Sequence, residues 1–108
     1  METSDVIQKI SSIKELADAA LETVRQDDEV PQTLYESVAA FDMNTNQALN
    51  DVQKTSDRSR IVECIDRLEE SADRAKDALE RAHRTSEPIR TAVLRAHAEV
   101  SRLKRQYH

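Results

Sequence analysis

Few side chains in this sequence have a spacing that could support chemistry. Glu80-Arg81-Ala82-His83 spells the Glu-x-x-His step with which di-iron and di-manganese bundles present two ligands from one helix. Such a centre needs a second copy of that step and carboxylates from the remaining helices. The matching place later in the chain reads Leu94-Arg95-Ala96-His97, with no glutamate. No metal or cofactor is therefore expected. His83 and His97 each follow an apolar position and read as half-exposed boundary residues. Their functional alternative is a pH-sensitive pair near one end of a helical hairpin, because histidine titrates near neutrality. Cys64 lies between Glu63 and Ile65. A nucleophilic cysteine needs a base or a cation to hold its thiolate, and no Cys-His arrangement is legible. Cys64 is expected to be a small buried apolar residue, with a crosslink between two copies as the lesser alternative. The chain is read as not an enzyme, with no catalytic residue assigned.

Charge is unevenly spread. Residues 1–30 carry three basic and eight acidic side chains, whereas residues 87–108 carry five basic and two acidic ones. Arg90, Arg95, Arg102, Lys104 and Arg105 with the terminal His108 could touch phosphates. The net charge of −5 and the lack of a helix-turn-helix or base-stacking module disfavour nucleic acid. The basic last segment is expected instead to complement the acidic first one as its neighbour. Leu94 lies off the apolar seam of its segment. Together with Arg90, Arg95, Arg102, Lys104 and Arg105 it makes the candidate interaction surface.

Composition narrows the folds that can carry these residues. The 108 residues include 38% hydrophobic and 34% charged side chains, no glycine, and three aromatic residues, Tyr35, Phe41 and Tyr107. Tight hairpins and phosphate-cradling loops rely on residues that accept positive φ, usually glycine. A β-rich fold or a Gly-rich nucleotide loop is excluded on that ground. One cysteine excludes an internal disulfide framework and suits a reducing compartment. The acidic start, Met1-Glu2-Thr3-Ser4-Asp5, lacks the order of a signal peptide, and no apolar run approaches a membrane span. A soluble, cytoplasmic protein is the expectation, with leaderless export open.

Four stretches alternate steps of three and four between apolar positions, the stripe of an amphipathic helix. They are Val6-Ile10-Ile13-Ala17-Ala20-Val24, Leu34-Val38-Phe41-Thr45-Ala48-Val52, Ile61-Ile65-Leu68-Ala72-Ala75-Leu79-Ala82 and Ile89-Val93-Ala96-Val100-Leu103-Tyr107. Asp27-Asp28-Glu29 before Pro31, Thr55-Ser56-Asp57, and Thr85-Ser86-Glu87 before Pro88 supply the breaks and N-cap candidates. Pro88 could instead kink one long helix. Asp42-Met43-Asn44-Thr45-Asn46 is polar and poor in helix propensity, but the stripe stays in phase across it. Glu63 with Arg67, Glu70 with Arg74 and Asp77 with Arg81 are i, i+4 pairs in the favourable order.

These readings predict an all-α, up-down-up-down antiparallel four-helix bundle in a single domain, 1–108, with helices near 4–26, 31–54, 57–84 and 87–107. The alternative is two long helical elements that close their core by dimerising. In length, arginine-over-lysine bias and helical pattern, rather than in any motif, the chain resembles small uncharacterised helical bacterial proteins of the Burkholderia type. That resemblance implies no activity and transfers no residues. The functional expectation is a non-enzymatic interaction or structural protein that binds a protein partner or itself through helix faces. A nucleic-acid-associated regulator using the basic last helix is the alternative.

Overall fold

Each apolar stripe becomes one helix. The computed structural model describes residues 3–107, and among them the elements are α1 (Thr3–Arg25), α2 (Gln32–Gln53), α3 (Arg58–Arg81) and α4 (Glu87–Tyr107). The links, residues 26–31, 54–57 and 82–86, are too short for anything but antiparallel neighbours. α1 packs on α2 and α4, and α3 packs on the same two, so the four close into an antiparallel bundle 42 Å long and 20 by 17 Å across. The expected fold class is the observed one.

Local chemistry sets the boundaries. Asp57 is the N-cap of α3, its carboxylate accepting from the Ser59 N–H at 2.9 Å. In the first link the Asp27 carboxylate accepts from the Glu29 N–H, a turn that stops α1 from running on. Pro31 sits one place before α2 with extended backbone, and its carbonyl accepts from Tyr35. α3 stops at Arg81, three residues short of the expected 84. Ala82 turns extended while its N–H still bonds to Ala78 and Leu79, so the last position of the third stripe lies in the link. Pro88 follows the first residue of α4, where it needs no N–H partner, and it separates two helices instead of kinking one.

The core is filled from both ends. Ile10, Ile13, Val52, Ile61, Ile65, Leu68, Val100 and Leu103 belong to one cluster, and Val24, Leu34, Leu79, Ile89 and Val93 to the other. Between them the bundle has a waist of small side chains. Ala20, Ala72, Ala75 and Ala96 meet Val38, Phe41 and Val93 around an apolar hollow with no room for a water molecule. Alanine removes little apolar area from water but lets helices approach closely.

Because the waist has no spare volume, enlarging a side chain there forces neighbours off their rotamers. Ala72→Leu should destabilise the fold by about 1–3 kcal/mol. The same change at exposed Ala40 should stay within about 0.5 kcal/mol. Urea unfolding followed by circular dichroism measures both.

Candidate interaction surface

The bundle separates the candidate residues of α4 onto different flanks. Lys104 faces α3: its ammonium donates to Glu69 Oε1 at 2.7 Å and lies 3.7 Å from Asp66 Oδ1. The bond to Glu69 raises its pKa above the ordinary lysine value. Leu94 is half-buried against the cluster of Leu79, Ile89 and Val93, so it belongs largely to the core. Arg95 and Arg102 face the other way, onto the seam with α1. Arg102 also pairs with Glu99 of its own helix at 3.3 Å. Arg90 and Arg105 are exposed. The six residues therefore do not form one patch. His108 lies outside the described residues.

The expected match between an acidic α1 and a basic α4 takes a different form. The two helices are neighbours, yet among the described residues no hydrogen bond or ion pair crosses their seam. The cross-helix polar contacts of α4 run to α3, where Asp66, Glu69 and Asp73 stand opposite it. α1 instead presents Gln8, Ser12, Leu16 and Ala19 along the seam with α4. Its carboxylate Asp18 pairs with Lys14 at 2.8 Å.

Two open hollows occupy that seam. One, about 550 Å³, is lined by Asp5, Lys9, Ser12, Glu99, Arg102 and Gln106 among others. The second, about 430 Å³, is lined by Leu16, Ala19, Glu87, Pro88, Thr91, Ala92 and Arg95. Polar groups dominate the first and apolar ones the second. Together they carry three acids and three bases. Sequence reasoning named Arg95 and Arg102. It missed Ala19 and Ala92, whose small size reads as helix filler until the neighbouring helix is known, and it read Pro88 as a helix boundary or kink alone.

The remaining candidates lie apart from one another. His97 Nε2 lies 2.7 Å from Asp73 Oδ1 with its side chain only 18% exposed, so it bridges α3 and α4. His83 is exposed in the link after α3. Ten residues of helical rise, about 15 Å, separate its position from that of Asp73, and the two histidines do not form a pair. Glu80 lies on the outer face with Lys76 4.0 Å away. Among the described residues no three His, Cys, Asp or Glu side chains converge as metal ligands would. Cys64 is buried beside a polar cleft lined by Asp51, Lys54, Arg60, Glu63 and Arg67. Burial, followed by the Asp51 charge, pushes its thiol pKa up, which disfavours the nucleophilic thiolate. Of the three expected ion pairs on α3, Glu70–Arg74 forms at 4.0 Å and Asp77–Arg81 at 3.3 Å. Among the described residues, Glu63 and Arg67 do not reach that distance.

The polar middle of α2 is continuous helix, and its side chains explain the low propensity. Thr45 is buried with its hydroxyl bonded back to the Phe41 carbonyl at 2.8 Å. Asn44 donates to the buried Ser71 hydroxyl of α3 at 2.7 Å. Asn44→Ala leaves Ser71 short of a partner and should cost about 1–2 kcal/mol. Adding Ser71→Ala should cost less than the sum of the two single changes. A double-mutant cycle on unfolding free energies checks this coupling. Set beside known protein families, curated proteins and solved structures, the chain matches none of them.

Proposed function

We propose that this chain is a non-enzymatic helical interaction protein that docks onto a second copy of itself through the α1–α4 face. The observation that carries the reading is the seam itself, which lacks polar bridges among the described residues and opens into two hollows. Charge supports a like partner. Asp5, Lys9, Glu99 and Arg102 line one hollow, and Glu87 and Arg95 the other, so both signs occur along the groove. An isologous contact sets each patch against its own copy, and a face of mixed sign can satisfy itself there. Phosphate would instead meet Asp5, Glu87 and Glu99 among the bases. The size is also suitable. A face 42 Å long and 20 Å wide offers on the order of 800 Å², what a stable interface buries per partner. Elsewhere the described surface is poor in large apolar groups, with Met43 alone strongly exposed at 70%.

Sedimentation equilibrium over a concentration series, with reductant present, tests the proposal. A reversible dimer is expected. Ala19→Glu and Ala92→Glu, which place a carboxylate in the apolar hollow, should each weaken it at least tenfold. A wild-type chain that stays monomeric up to about 1 mM, or variants that dimerise as well as wild type, would overturn the reading. If it instead retains duplex DNA or RNA at low salt and releases it as salt rises, the nucleic-acid reading replaces it.

A further inference from the structure

The α1–α2 seam contains a polar arrangement that packing alone does not explain. Asp18 of α1 and Asp42 of α2 face each other within hydrogen-bonding reach. The Asp42 Oδ1 atom is buried and has no hydrogen-bond partner. A buried carboxylate oxygen without a donor is costly, and a second carboxylate across the seam adds like-charge repulsion. One proton shared between the two groups removes the repulsion and lowers the cost of burying the Asp42 carboxyl.

We propose that Asp18 and Asp42 form a single-proton lock between α1 and α2, closed while the pair holds one proton and loosened when that proton leaves. The surroundings assign the proton to Asp42. From α1 the facing groups are Asp18, Lys14 and Arg25. The Lys14 ammonium, 2.8 Å from Asp18 Oδ2, holds Asp18 in its charged form. Arg25 is turned to the Tyr35 hydroxyl at 3.5 Å, on the flank of α2 that carries Asp42. α3 meets α2 on its other flank, where Asn44 bonds to Ser71 and Arg74 lies in a cleft with Glu36 and Ser37. Burial first, and then the bond to Asp18, pushes the Asp42 carboxyl up to about 6. The bonds to Asp42 and Lys14 hold Asp18 below the ordinary carboxylate value.

The sign of the pH effect follows from these two directions. Between the unfolded value of 3.8 and about 6, the folded state binds a proton at Asp42 that the unfolded state has released. Stability therefore falls as pH rises through that window. Asp18 acts in the opposite sense: its contribution is present above its unfolded value and is lost as pH falls through its lowered folded value. The pair is therefore most stabilising at the low end of that window, where it holds one proton, and Asp42 withdraws that stability as pH rises towards neutrality.

Thermal unfolding of the full chain between pH 4 and 8, together with carboxyl-carbon NMR titration, tests the lock. Asp42→Asn keeps the shape of the protonated acid and can donate to Asp18 at every pH. Its Tm at pH 7 should exceed wild type by about 5 °C or more, with the difference closing towards pH 5. Asp18→Asn removes the like charge and should move the Asp42 titration midpoint down. A wild-type Asp42 midpoint below about 4.5, or an Asp42→Asn variant whose Tm runs parallel to wild type across the range, would overturn the proposal. The NMR midpoint is read on the unaltered protein, so it decides the question even if a variant folds poorly.

Discussion

Alanine occupies core-facing positions of α1, α3 and α4 where the bundle narrows, at Ala20, Ala72, Ala75 and Ala96, with Phe41 of α2 among them. Small side chains there let the helix backbones approach, and the dispersion contacts of a close fit offset the little area that alanine removes from water. The two apolar clusters lie on either side of this layer and are held at one spacing by it. A larger residue would spread the helices and loosen both ends, whereas a glycine would weaken the helix that carries it. A chain with one phenylalanine and no tryptophan has no aromatic cluster to fill a wider gap, so the narrow waist and the spare composition go together.

Polar contacts add a register that alanine cannot specify, since a small-residue layer tolerates sliding. They concentrate on α3. Asn44 reaches Ser71 from α2, while His97 reaches Asp73 and Lys104 reaches Glu69 from α4. At the far end Arg58 donates to the Tyr107 carbonyl at 2.9 Å and lies over its ring at 4.8 Å. α3 is thereby tied on both flanks. α1, like α4, is tied on one flank only. Its cross-helix polar contacts among the described residues run to α2 alone, at Arg25–Tyr35 and at the Asp18–Asp42 pair, and its seam with α4 is held by apolar packing.

Periodicity made the helices legible because a stripe of period 3.6 must be buried somewhere, whatever buries it. The stripe positions from Val6 to Val24, Leu34 to Val52, Ile61 to Leu79 and Ile89 to Tyr107 are all buried. What periodicity could not supply is the identity of the neighbour on each flank. Lys104 and Arg102 lie two residues apart in a basic segment, yet one is spent on α3 and the other opens onto α1. The short reach of α3 beyond Arg81 was hidden for a related reason. Ala82 continues the stripe, but the next residues, His83-Arg84-Thr85-Ser86, add no apolar side chain to hold a further turn. Asp42 was visible only as a residue of low helix propensity. Its burial and its like-charged neighbour exist only once α1 is laid beside α2.

Among the described residues the α1–α4 seam is the one seam between neighbouring helices that no polar side chain bridges. A helix bridged by polar side chains on both flanks shifts only by breaking them, whereas a helix held by apolar packing can adjust at smaller cost. Leu16 and Ala19 line the hollow on the α4 side of α1, and Asp18, between them in sequence, faces α2. Adjacent positions on a helix point about 100° apart, so one short segment serves both seams. A change in how tightly Asp18 meets Asp42 therefore bears on the backbone that sets the width of the α1–α4 groove.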